Sequence, residues 1–137
     1  MLGQTVITDP SSGTDSEVQG IVSFWGPWNL IDVTTDEQNS LIHTLLPIDN
    51  VNARAQASPA YFINKHSPPT RLFHGAGDVD VPISQAYNTC ATYALKDMPE
   101  PHCMVIDLPY TAHHWPTDIR DSDRILEQMS IFLRQWV

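Results

Sequence analysis

Two short polar segments hold the residues with the most chemical reach. The first is His74-Gly75-Ala76-Gly77-Asp78-Val79-Asp80-Val81-Pro82, and it follows an apolar run. The second is Leu108-Pro109-Tyr110-Thr111-Ala112-His113-His114-Trp115-Pro116, and it follows another. An acid therefore leaves one apolar run and a histidine leaves the next. A buried carboxylate beside a histidine fixes the imidazole tautomer and stabilises the imidazolium formed when the ring takes a proton. Asp78 and His113 are the candidates for this pair, with Asp80 and His114 as their rivals. The bland alternatives are a turn aspartate that caps the next helix, and a solvated histidine pair. Six histidines are present, but no His-Glu-x-x-His or His/Cys ligand spacing occurs, so no metal is expected. No cofactor motif is read either. His74 reads as structural, closing its strand. Trp28 and Trp115 follow apolar runs and are weak candidates for lining a substrate pocket. Trp25 and Trp136 fit core stripes.

The segments need elements to position them. Val18 to Trp25, Thr70 to His74 and Cys103 to Leu108 are near-continuous apolar runs bounded by glycine or proline. Such runs suit a parallel sheet covered on both faces. Ile83, Ala86, Tyr87, Cys90, Ala91, Ala94 and Leu95 form one helical stripe after Pro82. A second stripe, Ile125, Leu126, Met129, Phe132, Leu133 and Trp136, runs to the C-terminus. Asp121, Ser122 and Asp123 are its N-cap candidates. Residues 27–69 form a long excursion, lid-like or insertion-like, with Glu37 to Leu46 as a helix candidate. The order is strand, excursion, strand, helix, strand, helix. That predicts an α/β fold of about three parallel strands with flanking helices, and ligands in such sheets sit beyond the carboxyl ends of the strands.

Composition narrows the function further. The 137 residues fit one domain, and 42% of them are hydrophobic, enough for a core. A net charge of −9 argues against nucleic acid and against an anionic membrane surface. No apolar run approaches a membrane span. Met1 to Ile7 lacks the regions of a secretory leader, which favours the cytoplasm only slightly and leaves the compartment open. Cys90 and Cys103 fall on neighbouring elements, as a disulfide or as two buried thiols.

Ala57-Ser58-Pro59, followed by Pro68-Pro69-Thr70-Arg71-Leu72-Phe73-His74-Gly75-Ala76-Gly77-Asp78-Val79-Asp80-Val81-Pro82, resembles a block found in α/β-hydrolases. It is similar to the esterase/lipase branch that includes hormone-sensitive-lipase-like and feruloyl-esterase-like carboxylesterases. Prolyl-oligopeptidase-type serine peptidases share much of the block. Val18 to Leu30 also resembles the family's strand after the nucleophile helix. The resemblance extends over roughly Glu17 to Val137. It implies that Asp78 is the acid and His113 the base of a Ser-His-Asp triad. One departure is the turn before His113, Tyr110-Thr111-Ala112, where the family usually has glycines.

The family nucleophile lies in Gly-x-Ser-x-Gly, and no serine here has that context. Met1 to Ile7 resembles the end of the helix that follows that serine, which implies a nucleophile upstream. The expectation is the C-terminal part of an α/β-hydrolase fold, inactive alone. It would act on a small-molecule ester when completed, and its partner would be the missing N-terminal half or a second copy. The alternatives are a portion of a prolyl-oligopeptidase-type peptidase and a non-catalytic remnant of the fold.

Overall fold

In the computed structural model, which describes residues 18–33 and 35–137, the three apolar runs pair into one sheet. Its strands are β1 (Ile21–Phe24), β2 (Thr70–Gly75) and β3 (Cys103–Leu108), in the order β1-β2-β3. Both pairings are parallel, with Ile21 opposite Thr70 and Thr70 opposite Cys103. Gly75 lies opposite Leu108, so the segments after β2 and β3 start at the same height. β2 is central and buried at all six positions. β1 is half-buried throughout and forms one edge of the described sheet. It starts three residues later than the run Val18 to Trp25 and stops at Phe24, because the chain turns away at Trp25. That residue adopts φ +52°, a left-handed conformation uncommon outside glycine, just before Gly26-Pro27.

Alternate residues along a strand face opposite ways. Leu72 and Cys103 face helix α3 (Ser84–Ala94) and pack with Ala86, Tyr93, Met98, Ile63 and Trp28. Phe73, Ile106 and Leu108 face the other way and pack with Ile125 of the C-terminal helix, Ile119–Trp136. Both faces of the sheet are therefore covered, as the continuous apolar strands require. The C-terminal helix starts a turn earlier than the candidates Asp121, Ser122 and Asp123 imply. Its N-cap is Asp118, whose side chain accepts from the Arg120 amide, and Asp121 falls inside the first turn.

The excursion carries two helices, α1 (Asp36–Leu45) and α2 (Val51–Ala57), and a 3-10 turn at Pro59–Phe62. With those labels in chain order, the C-terminal helix is α4. Thr35 caps α1 and Asn50 caps α2, each through a side chain that accepts from a backbone N–H three residues on. The ends of the excursion are stitched to the body. Gln85 of α3 accepts from the Asn29 amide and donates to the Asn29 carbonyl, each at 2.8 Å. Ser58 Oγ accepts from the Leu30 amide at 2.8 Å. Between those ends Leu41, Leu45, Ile48 and Val51 stay exposed.

Cys90 of α3 and Cys103 of β3 form a disulfide. Trp25 and Trp136 are both partly buried. Among the described residues no helix is long and apolar enough to cross a membrane. The helix end read at residues 1–7 lies outside the described residues.

Candidate active site

β2 ends at Gly75 and β3 at Leu108, and the segments that follow lie against each other. The Ala76 amide donates to the Leu108 carbonyl at 3.0 Å, and the Gly77 amide to the Thr111 carbonyl at 3.2 Å. Gly75 permits this approach. A Cβ there would run into the backbone of Thr111 and Ala112, closer than real side-chain carbons come.

Asp78 follows Gly77 in a tight turn. Its Oδ1 accepts from the amides of Asp80, at 3.0 Å, and Val81, at 2.8 Å. The turn locks the carboxylate before α3 begins, and its side chain is 0% exposed. Its Oδ2 faces His113 Nδ1 at 2.8 Å. A carboxylate only accepts, so Nδ1 carries the proton and Nε2 is the basic nitrogen. His113 Nε2 makes no hydrogen bond among the described residues, and the side chain is 40% exposed. One partner is thus buried and fixed, while the other is 40% exposed, with its basic atom unbonded among the described residues.

His74, at the end of β2, is the third member of this group. Its Nε2 lies 2.7 Å from the Val81 carbonyl and 3.2 Å from Asp78 Oδ2. The carbonyl can only accept, so Nε2 donates. His74 therefore braces both the turn and the acid. Its reading as a structural residue missed the contact with Asp78, which no spacing in the sequence signals.

The rivals lie elsewhere. His114 is exposed, and its Nδ1 bonds the Trp115 carbonyl at 2.9 Å. Asp80 is exposed and offers Asp78 only its amide. One ligand atom each from Asp78, Asp80 and His113 lies within 4.8 Å of the others. Both Asp78 oxygens and His113 Nδ1 are already engaged in hydrogen bonds, while Asp80 gives the group only its amide and an exposed carboxylate.

The two tryptophans part company. Trp28 is 5% exposed, sits in the core under α3, and donates from Nε1 to Ser23 Oγ at 3.3 Å. Trp115 is 59% exposed, two residues beyond His113. Its ring centroid is 5.4 Å from that of Phe24 and 6.0 Å from that of Trp25, so it lies over the end of β1.

Asp121 had no functional reading in the sequence beyond a helix cap. It is 1% exposed, and its Oδ2 accepts from the Tyr110 amide at 2.9 Å and from Thr111 Oγ1 at 2.6 Å.

Comparison with known proteins agrees with this architecture. The fold is similar to an esterase from the planctomycete Thermogutta terrifontis, at 17% identity and a TM-score of 0.69. The alignment covers 93% of this chain and 46% of that one. It is also similar to a bifunctional GH43-CE protein of Bacteroides eggerthii, at 24% identity and a TM-score of 0.71, over 90% of this chain and 16% of that one. A truncated carbohydrate esterase from gut microbiota matches at 23% identity and a TM-score of 0.62, over 73% of this chain and 37% of that one. The chain thus spans less than half the length of each of these structures. No curated protein matches the sequence. The BD-FAE family model matches residues 2–92, which include β1, β2, Asp78 and most of α3. The chain belongs to the BD-FAE family, among the esterase-like α/β-hydrolases.

Proposed function

We propose that this chain supplies the acid and the base of a Ser-His-Asp triad that hydrolyses a carboxylic ester. The observation that carries the reading is the bond of 2.8 Å between buried Asp78 and half-exposed His113. His113 Nε2 takes the proton of an attacking serine and returns it to the leaving alcohol. Asp78 holds the ring and stabilises the imidazolium in between. Membership of the BD-FAE family and the esterase names of the similar structures support the ester as substrate. Trp115, propped on Phe24 and Trp25, offers an apolar wall beside the base.

The nucleophile, and with it the oxyanion donors, comes from polypeptide outside these 137 residues. The absence of Gly-x-Ser-x-Gly supports this. That polypeptide docks along β1, an edge strand among the described residues, with half-buried Val22 and Phe24. Trp25 Nε1 lies there too, buried with no hydrogen-bond partner among the described residues.

The test has two arms. The 137-residue chain is treated with a fluorophosphonate probe and should form no adduct. Covalent labelling would place a nucleophile inside it and overturn the second half of the reading. The polypeptide encoded together with the sequence upstream of Met1 should hydrolyse a short-chain p-nitrophenyl ester. There Asp78→Asn should lower kcat on the order of 10⁴-fold, by favouring the wrong tautomer. Full turnover with Asp78→Asn or His113→Ala removes these residues from the triad.

A further inference from the structure

We infer that Asp121 is a positioning residue for the base; the kinetic consequence rests on the triad reading above. A carboxylate that is 1% exposed is costly to bury unless strong hydrogen bonds satisfy it. Asp121 is not needed to start α4, because Asp118 already caps that helix. Both of its observed bonds go instead to the segment that carries His113. They come from the Tyr110 amide and the Thr111 hydroxyl, and both end on Oδ2.

Thr111 is the joint of this arrangement. Its hydroxyl is held by Asp121, and its carbonyl accepts from Gly77, the neighbour of Asp78. One residue thus links the helix to the acid's turn, two positions before His113. The anchor itself is firm. α4 is an 18-residue helix pinned by buried Ile125 and Phe132, and a carboxylate in its first turn is favoured by the helix dipole. A side chain locked on a rigid helix can hold a loop to the tolerance that proton transfer requires. Asp121 therefore sets where the His113 ring stands relative to Asp78, without touching either.

The test uses nitrogen NMR of the His113 imidazole in the full 137-residue chain. The wild type should show the Nδ1–H tautomer with an exchange-protected proton. Asp121→Ala should abolish that protection and mix the tautomers. Asp121→Asn, which keeps an acceptor at the same place, should retain both features. Ile125→Ala, a core truncation one turn along the same helix, should retain them too while lowering stability. If Asp121→Ala keeps the protected proton, or Ile125→Ala loses it equally, the inference is wrong. Should Asp121→Ala fail to fold, Thr111→Val is read the same way, since it removes the hydroxyl bond and leaves the amide bond.

In the polypeptide that carries the nucleophile, Asp121→Ala should lower kcat by about 100-fold, the effect of a displacement near 1 Å, with KM changed less than about twofold. An unchanged kcat beside a lost NMR signal overturns the kinetic part. A lost signal in a protein that no nucleophile-bearing polypeptide renders active would leave Asp121 as the anchor and remove the triad reading instead.

Discussion

Breaking the Cys90–Cys103 bond should destabilise the chain by about 3 kcal/mol. The bond joins α3 to the first residue of β3 across a sequence separation of 13. A cross-link that closes a loop of this size removes about 10 cal/mol/K of entropy from the unfolded chain, or about 3 kcal/mol at 25 °C. Spread over the unfolding entropy of a domain this long, that is a fall of about 10 °C in Tm. The assay is urea unfolding followed by tryptophan fluorescence, for wild type and for the Cys90→Ala/Cys103→Ala variant, each with and without reductant. The variant should melt at lower urea with a larger slope, since its unfolded state is less constrained. Reductant should bring the wild type to the same place and leave the variant unmoved. A loss below about 1 kcal/mol, or an equal response of the variant to reductant, would refute the loop-closure account.

Three further outcomes are expected. Gly75→Ala should cost about 1–3 kcal/mol by forcing the Thr111–Ala112 backbone away; urea unfolding measures the loss, and an exchange-protected His113 Nδ1–H that persists unaltered would show that the two segments had not parted. The Arg120 guanidinium beside Asp118 holds that carboxyl down at about 2, against 3.8. Its contribution to stability is therefore complete above 3.8 and lost as the pH falls towards 2, and Asp118→Asn, which keeps the helix cap, should remove that part of the acid decline in thermal melts. Tyr87 donates its hydroxyl to the Asp107 carboxylate, which raises the phenol above its ordinary value of 10.0. That contribution is complete below 10 and lost as the pH rises through the raised value, so Tyr87→Phe should flatten the alkaline decline.

The sheet was legible because its strands are buried on both faces. Leu72 and Phe73, adjacent in sequence, face opposite cores, which leaves a continuous apolar run with proline and glycine at its ends. Asp78 and His113 were legible because parallel strands bring successive carboxyl ends together, and the register of Gly75 with Leu108 does so. What stayed hidden was of two kinds. Helix α2 buries no residue, so its seven positions carry no apolar stripe and only the Asn50 cap marks it. The bonds of Asp121 to Tyr110 and Thr111 and of His74 to Asp78 depend on where side chains end up in space. Nothing in the spacing of an aspartate and a threonine ten positions apart distinguishes an anchor from a surface pair.

The position of β2 has a consequence for the timescale of the site. Its residues are buried at every position, and its neighbours pair with it on both sides. Amides in such a strand exchange with solvent only when the whole sheet opens, whereas those facing outward on an edge strand exchange through local fraying. The turn that holds Asp78 hangs from the end of that strand and is tied by backbone bonds to the segment after β3. The backbone that carries Asp78 then stays in place for as long as the sheet itself does, and hydrogen exchange along β2 is the clock that reads it.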